Sequence, residues 1–273
     1  MINCNGNLLS LAKPKIMGIL NITPDSFFDG GKNTEVDQIL NRAKKILSEG
    51  ADIIDVGACS SRPNANDVSE TEEIDRLSKA LTLIRKHFPD ACISVDTFRA
   101  NVAKFVVENF KVDIINDIFA GFGDEKMLET IRNLQIPYIM MHMQGTPKTM
   151  QQNPQYDDVV LDIIKFFSER INKATLLGIN DIIIDPGFGF GKTIEHNYEL
   201  MRRLEEFEIV DYPLLVGVSR KSMIYKSLEI TAEESLPGTI VLNTIALQKG
   251  AKILRVHDVA EAVQTLKIVS LVK

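Results

Sequence analysis

Ile16-Met17-Gly18-Ile19-Leu20-Asn21-Ile22 is a short, almost continuously apolar run, interrupted near its end by one polar side chain. Its length and lack of alternation suit a parallel β-strand covered on both faces rather than a half-exposed one. A polar loop follows, and then Val36, Ile39, Leu40, Ala43, Ile46 and Leu47 recur at helical spacing. Thr34 is placed to cap that helix and Gly50 to end it. The unit is therefore strand, loop, amphipathic helix.

The same unit repeats outward from this stretch. Apolar runs at 52–57, 92–97, 113–118, 138–142, 181–185, 214–219 and 253–257 read as further strands. Apolar stripes lie between them: Ile74, Leu77, Leu81, Ile84 and Phe88; Val160, Ile163, Ile164, Phe167 and Ile171; Val259, Ala262, Val263 and Leu266. Eight strands, each followed by a helical segment, predict an α/β protein of the (β/α)8 TIM barrel class. Alternation alone does not prove closure, so a doubly wound open sheet stays open as an alternative. Residues 3–12, centred on Asn5-Gly6, predict a small hairpin ahead of the barrel. With no break in composition, the chain reads as one domain over 1–273, with the hairpin in 1–14 and the barrel in 15–273.

Composition sets the limits. The chain has 273 residues, 45% hydrophobic and 25% charged, which suits an ordinary globular protein. A net charge of -6 argues against a broad nucleic-acid surface, so any phosphate site must be built from a few placed cations and amides. Three widely spaced cysteines, Cys4, Cys59 and Cys92, argue against a disulfide framework and suit a reducing compartment. No signal peptide is visible before Pro14 and no apolar run reaches membrane length, so a cytoplasmic location without membrane contact is expected. The sequence leaves the oligomeric state open, a homodimer among the possibilities.

The chemistry is read from the strand ends. Asn21, Asp55, Asp96, Asn116, His142, Asp185, Ser219 and the pair Arg255 and His257 are polar residues for which a buried strand has no structural use. They could simply pair with one another at the barrel mouth, but a ring of eight points to a site. Asp96, Asn116 and Asp185 suit a flat, nitrogen-rich heterocycle, because carboxylates accept parallel N–H bonds and an amide both donates and accepts. A metal-binding mouth, as in a barrel aldolase, is the weaker reading, for it would need further carboxylates. Arg255 and His257 share one face of a strand and suit a diphosphate. Ser219-Arg220-Lys221-Ser222 turns from strand into helix, with Lys221 a point charge and Arg220 an outer, solvated residue. The glycine-rich run from Asp185 to Lys192 lacks Walker A spacing and reads as a tight loop presenting Phe190 as an aromatic wall. Met140 and Phe188 read as barrel packing. The connections 23–32, 59–69 and 143–156 are long and would open on the catalytic face.

Several motifs, in order, resemble the dihydropteroate synthase family. They are Met17-Gly18-Ile19-Leu20-Asn21-Ile22-Thr23-Pro24-Asp25-Ser26-Phe27 with Asp29-Gly30-Gly31, then Ala58-Cys59-Ser60-Ser61-Arg62-Pro63. Asp185-Pro186-Gly187-Phe188-Gly189-Phe190-Gly191-Lys192, Ser219-Arg220-Lys221-Ser222 and Arg255-Val256-His257-Asp258 complete the set. The resemblance spans 15–257 and implies a (β/α)8 barrel. It implies an enzyme that condenses (7,8-dihydropterin-6-yl)methyl diphosphate with 4-aminobenzoate by an SN1-like substitution, with Mg2+ as cofactor, in folate biosynthesis. By resemblance, Asp96, Asn116, Asp185 and Lys221 hold the pterin. Asn21, Arg62, Arg255 and His257 engage the diphosphate, Asn21 through the metal. Phe27, Ser61, Arg62, Pro63, Phe190, Lys221 and Ser222 border 4-aminobenzoate, and Asn21, Asp29, Arg62 and Lys221 form the catalytic set. The second motif departs from the family's Glu-Ser-Thr-Arg-Pro-Gly: Cys59 replaces a glutamate, Ser61 a threonine and Asn64 a glycine. A pterin-binding methyltransferase module serving a corrinoid protein is the enzymatic rival, and a non-catalytic pterin-binding protein the rival of another class. Neither needs Arg62, Lys221, Arg255 and His257 together.

Overall fold

A computed structural model describes residues 1–23, 32–59 (backbone only for 32–35), 68–147, 149–150 and 152–272. β1 (Ile2–Cys4) and β2 (Asn7–Leu9) pair antiparallel across Asn5-Gly6. Both turn residues have positive φ, 50° and 88°, as a tight two-residue hairpin turn demands.

The remaining strands are β3 (Lys15–Asn21), β4 (Ile53–Gly57), β5 (Ile93–Asp96), β6 (Ile114–Asp117), β7 (Tyr138–Met141), β8 (Ile182–Asp185), β9 (Leu215–Val216) and β10 (Ile253–Val256). They pair in parallel in the order β8-β7-β6-β5-β4-β3-β10-β9. A bridge from Ile184 to Leu214 joins β8 to β9, with Ile184 N donating to Pro213 O at 2.9 Å. That last link closes the ring and removes the open-sheet alternative. The helices between strands are α1 (Lys32–Ser48), α2 (Glu70–His87), α3 (Ala100–Phe110), α4 (Met127–Leu134), α5 (Val159–Leu176), α6 (Ile194–Arg202), α7 (Ser222–Tyr225), α8 (Leu236–Gln248) and α9 (Val259–Val272), with a 3-10 segment at Leu204–Val210.

Three local expectations are corrected. α1 starts at Lys32, so Thr34 lies inside its first turn and does not cap it, and Val36 is 40% exposed rather than part of the buried stripe. The eighth strand in ring order is two residues long, because Lys221 N bonds back to Val218 O and the chain turns out of the ladder.

Period-two alternation divides each strand between two environments. One set of positions, such as Ile54, Val56, Ile93, Val95, Ile115, Met140, Ile182 and Leu254, packs under the helices. The other set turns inward. Its first members, Met17, Ile53, Ile114, Ile139, Ile183, Leu215 and Ile253, form an apolar floor sealed by Ile2, Cys4 and Leu11 of the hairpin segment. Two or four residues further along the same strands come Asn21, Asp55, Asn116, Asp185, Arg255 and His257. The barrel is thus dry at its N-terminal end and polar at its C-terminal end.

Candidate active site

Asp96 and Asn116 are direct neighbours across β5 and β6, and Asp55 faces Ser94 across β4 and β5. Arg255 reaches over from β10: its Nε donates to Asp55 Oδ2 at 2.7 Å and its Nη2 to Asp96 Oδ2 at 3.1 Å. Asn116 Nδ2 donates to Asp55 Oδ2 at 3.3 Å. Part of the ring therefore does pair with itself. Asp55 Oδ1 and Ser94 Oγ, both fully buried, have no partner among the described residues. Burial pushes the Asp96 carboxyl up to about 7, against the pull of Arg255. Gly57 lies between Asn21 and Asp96 in the register, and a Cβ there would meet Asn21 Oδ1 at 3.4 Å. Its bareness keeps that side of the mouth open.

Across the barrel, Asp185 is 5% exposed and its Oδ1 accepts from Gly187 N at 2.8 Å. Burial raises its carboxyl above the ordinary range, Lys221 drawing it back. Gly187 has φ +71°, and a Cβ there would fall 1.9 Å from His142 O, so no other residue fits this turn. Lys221 Nζ donates to Phe188 O and sits 4.6 Å above the Phe190 ring, which realises the aromatic wall. Burial lowers the Lys221 ammonium to about 8, partly offset by Asp185. Phe188 and Met140 are fully buried packing, as expected. Ser222 opens α7, and His257 Nδ1 lies 3.1 Å from Ser219 Oγ, which also accepts from His257 N. Burial, and then Arg255, depress the His257 imidazole to about 4, so it is neutral near pH 7. Asn21 is exposed at the rim of β3.

Two expectations fail. His142 is not in the ring: it shares the outward side with Tyr138 and Met140, edge-on to Phe166, with Nδ1 3.0 Å from Lys192 Nζ. Arg220 is not merely solvated. It holds Asp258 through two bonds of 2.9 and 2.8 Å and donates to Glu233 O, with φ +55°. Phe27, Asp29, Ser61, Arg62 and Pro63 lie outside the described residues.

Three supporting residues escaped the sequence reading. Lys192, 3% exposed, donates to Gly187 O and Phe190 O at 3.0 Å each while touching His142. Asn197 accepts from Gly189 N at 2.7 Å. Arg99 pairs with buried Glu73, donates to Val68 O at 2.6 Å and stands 3.9 Å from Cys59 Sγ. It therefore links the residues flanking 60–67. Glu73 meets its charge, and burial pushes the Cys59 thiol up to about 12.

Among the described residues, no group of three or more His, Cys, Asp or Glu is arranged to hold a metal. Magnesium keeps several waters and commonly binds through one or two protein oxygens plus substrate phosphates. The single amide of Asn21 at an open rim fits a cation that arrives with a diphosphate, and does not fit a resident, caged one.

Residues 17–257 match the model of the pterin binding enzyme family. A dihydropteroate synthase from Haemophilus influenzae is 47% identical over 266 residues, covering 97% of this chain and 96% of that protein. Among solved structures, a Yersinia pestis dihydropteroate synthase in complex with a sulfonamide drug superposes with a TM-score of 0.92 at 42% identity over 98% of both chains. A Xanthomonas albilineans dihydropteroate synthase with 4-aminobenzoic acid does so with a TM-score of 0.92 at 36% identity, over 99% of this chain and 97% of that one.

Proposed function

The chain belongs to the dihydropteroate synthases of the pterin-binding enzyme family, and on that premise we infer that it joins (7,8-dihydropterin-6-yl)methyl diphosphate to 4-aminobenzoate. It is a transferase of folate biosynthesis, releasing 7,8-dihydropteroate and diphosphate. The observation that carries this reading is the inward layer of Asp96, Asn116, Asp185 and Lys221 at the C-terminal end of a barrel with an apolar floor.

Site roles follow the resemblance, and the geometry supports them where it is described. Asp185 and Asp96 accept N–H groups from the pterin edge, Asn116 donates and accepts beside them, and Lys221 donates to a ring acceptor. Asn21, Arg255, His257 and Arg62 take the diphosphate. Ser222, Phe190 and Lys221, with Phe27, Ser61, Arg62 and Pro63, border 4-aminobenzoate, and Asp29 joins the catalytic set.

The C–O bond to the diphosphate breaks first, leaving positive charge that spreads from the exocyclic methylene into the pterin ring. The arylamine nitrogen then attacks that carbon and loses a proton. Buried Asp185 and half-buried Asp96 hold the ring edge in a mouth of reduced dielectric, where their charges act on the developing cation. His257, neutral and held by Ser219, can donate Nε2–H to a phosphoryl oxygen. When bound at Asn21, Mg2+ would neutralise charge on the departing diphosphate. No nucleophilic side chain takes part.

Sulfonamides, as analogues of 4-aminobenzoate, are proposed to compete in the same pocket. Cytoplasmic location is the proposed setting, and no helix among the described residues is long and apolar enough to cross a membrane. A homodimer is the proposed assembly, supported by exposed Leu228, in the turn after α7, and exposed Val241 of α8, which line one apolar groove. Incubating the protein with both substrates and Mg2+ and detecting 7,8-dihydropteroate by mass spectrometry tests the function. No product under saturating substrates overturns it.

A further inference from the structure

The floor of the barrel carries a side-chain pair that the condensation does not use. Cys4 ends β1 of the hairpin and Cys92 immediately precedes β5. Far apart in sequence, they pack into the same floor cluster with Ile2, Leu11 and Met17. Both also line one cavity beneath the barrel, together with Arg85 and Asp113. Their neighbours hang on a single carboxylate: Asp113 Oδ1 accepts from Asn5 Nδ2 at 3.2 Å and Asp113 Oδ2 from Ile93 N at 2.8 Å. Arg85 Nη2 fixes that carboxylate at 2.9 Å. Both thiols are free, and Cys4 and Cys92 adjoin Asn5 and Ile93, the two residues that bond the two oxygens of that one carboxylate. Cys59, just past the C-terminal end of β4, belongs to the opposite end of the barrel and cannot compete for either.

We propose that Cys4 and Cys92 form a dithiol modification site, which a small-molecule disulfide converts into an intramolecular disulfide stapling the N-terminal hairpin to β5. Cys92, the more exposed of the two, faces the cavity that admits the oxidant. Its thiolate attacks one sulfur of the small disulfide, whose S–S bond breaks to release one thiolate. The Cys4 thiol then loses its proton and attacks Cys92 Sγ of the mixed disulfide, expelling the second thiolate. The protein loses two protons and two electrons, and the oxidant becomes two thiols. Contact with Cys4, and then burial, hold the Cys92 thiol above its ordinary range, so closure is slow near neutrality and quickens as pH rises.

The test uses the whole protein and oxidised glutathione at pH 8.5, followed by thiol titration under denaturation and peptide mass spectrometry. The expected result is a fall from three free thiols to one, a Cys4–Cys92 cross-linked peptide and reversal by dithiothreitol. Tm should rise by roughly 5 °C or more, because the closed loop restricts the unfolded chain. Turnover should stay within about twofold, since the staple lies at the far end from the mouth. Cys92→Ala should retain two titrating thiols, Cys4→Ala should stop at a glutathione adduct on Cys92, and neither should show a rise in Tm. Three thiols persisting in the treated protein overturn the proposal. So do a cross-link that includes Cys59, a stable glutathione adduct without closure, or an unmoved Tm after closure.

Discussion

Arg255 and Asp96 lie 3.1 Å apart, although the resemblance assigns one to the diphosphate and the other to the pterin ring. The same guanidinium holds Asp55 at 2.7 Å, so one cation from β10 ties together carboxylates of β4 and β5. Both assignments can hold only if the arriving substrate takes over bonds that Arg255 and Asp96 now give each other. Arg255 is already paired before any ligand enters, so binding is an exchange of partners rather than the filling of an empty slot.

Affinity for the pterin should therefore depend on pH with two limbs. Burial holds the Asp96 carboxyl at about 7 and the Lys221 ammonium at about 8. An ionised Asp96 accepts the ring N–H groups and a charged Lys221 donates, so binding should strengthen as pH rises towards 7 and weaken above 8. The sign for stability is separate. An acid whose pKa is raised from about 4 in the unfolded chain loses its stabilising contribution as pH rises from about 4 to about 7. Calorimetric titration of a pterin from pH 5.5 to 9 checks the first claim, and Asp96→Asn should remove the acidic limb alone. A flat profile would exclude control by Asp96.

Arg255→Ala and His257→Ala should part company. Removing Arg255, 21% exposed, strands two carboxylates that it now pairs, costing about 2–4 kcal/mol of stability. It should weaken the bare pterin as well as the diphosphate ester. His257 bonds Ser219 and touches neither carboxylate, so His257→Ala should spare the bare pterin and weaken only the ester, by roughly tenfold, the value of one good hydrogen bond. Equal losses for both ligands in the His257 variant would make it a support of the barrel rather than a phosphate contact.

How much of this could be read from the chain depends on parity. All eight barrel strands were visible because each is an apolar run, and most ring members share the register of an inward floor residue: Ile53 with Asp55, Ile114 with Asn116, Ile183 with Asp185, Ile253 with Arg255. His142 was misplaced because it is one step out of phase with Ile139, which turns it outward. Nothing in the sequence ties Arg99 to Glu73, because that pair joins α2 to the start of α3 through tertiary packing. The length of β9 was overread, since the return bond from Lys221 to Val218 is a matter of turn geometry that apolar character does not report.

Lys192 and Lys221 grip one loop from opposite sides, the first through Gly187 O and Phe190 O, the second through Phe188 O and the Phe190 ring. Lys192→Met should loosen that loop. Loss of two carbonyl bonds is partly offset by no longer burying an amine whose charged form burial disfavours, so stability should fall by only about 1–3 kcal/mol. The KM for 4-aminobenzoate should rise several-fold while affinity for the bare pterin, held mainly by Asp96, Asn116 and Asp185, stays within about threefold. Thermal unfolding and steady-state kinetics read both, and an unchanged KM in a folded variant would confine Lys192 to stability.

Magnesium should bind this protein only in company. Among the described residues the rim offers it the neutral amide of Asn21 and no carboxylate cluster. One uncharged oxygen cannot repay the dehydration of so strongly hydrated an ion, whereas diphosphate oxygens would supply the negative charge it needs, with Asn21 holding it beside them and waters completing its shell. Arg255 and His257, inward on β10, would hold the same diphosphate from the other side. Calorimetry of Mg2+ against the free protein should show no saturable binding below the millimolar range, and a clear isotherm once inorganic diphosphate is present. Asn21→Ala should weaken that second isotherm by roughly tenfold, as expected for one lost ligand, and leave pterin affinity unchanged. Product formation should stop in excess chelator. Tight binding of Mg2+ to the free protein would mean that the cation has a resident cage built by residues other than Asn21, and the role given to Asn21 would have to be withdrawn.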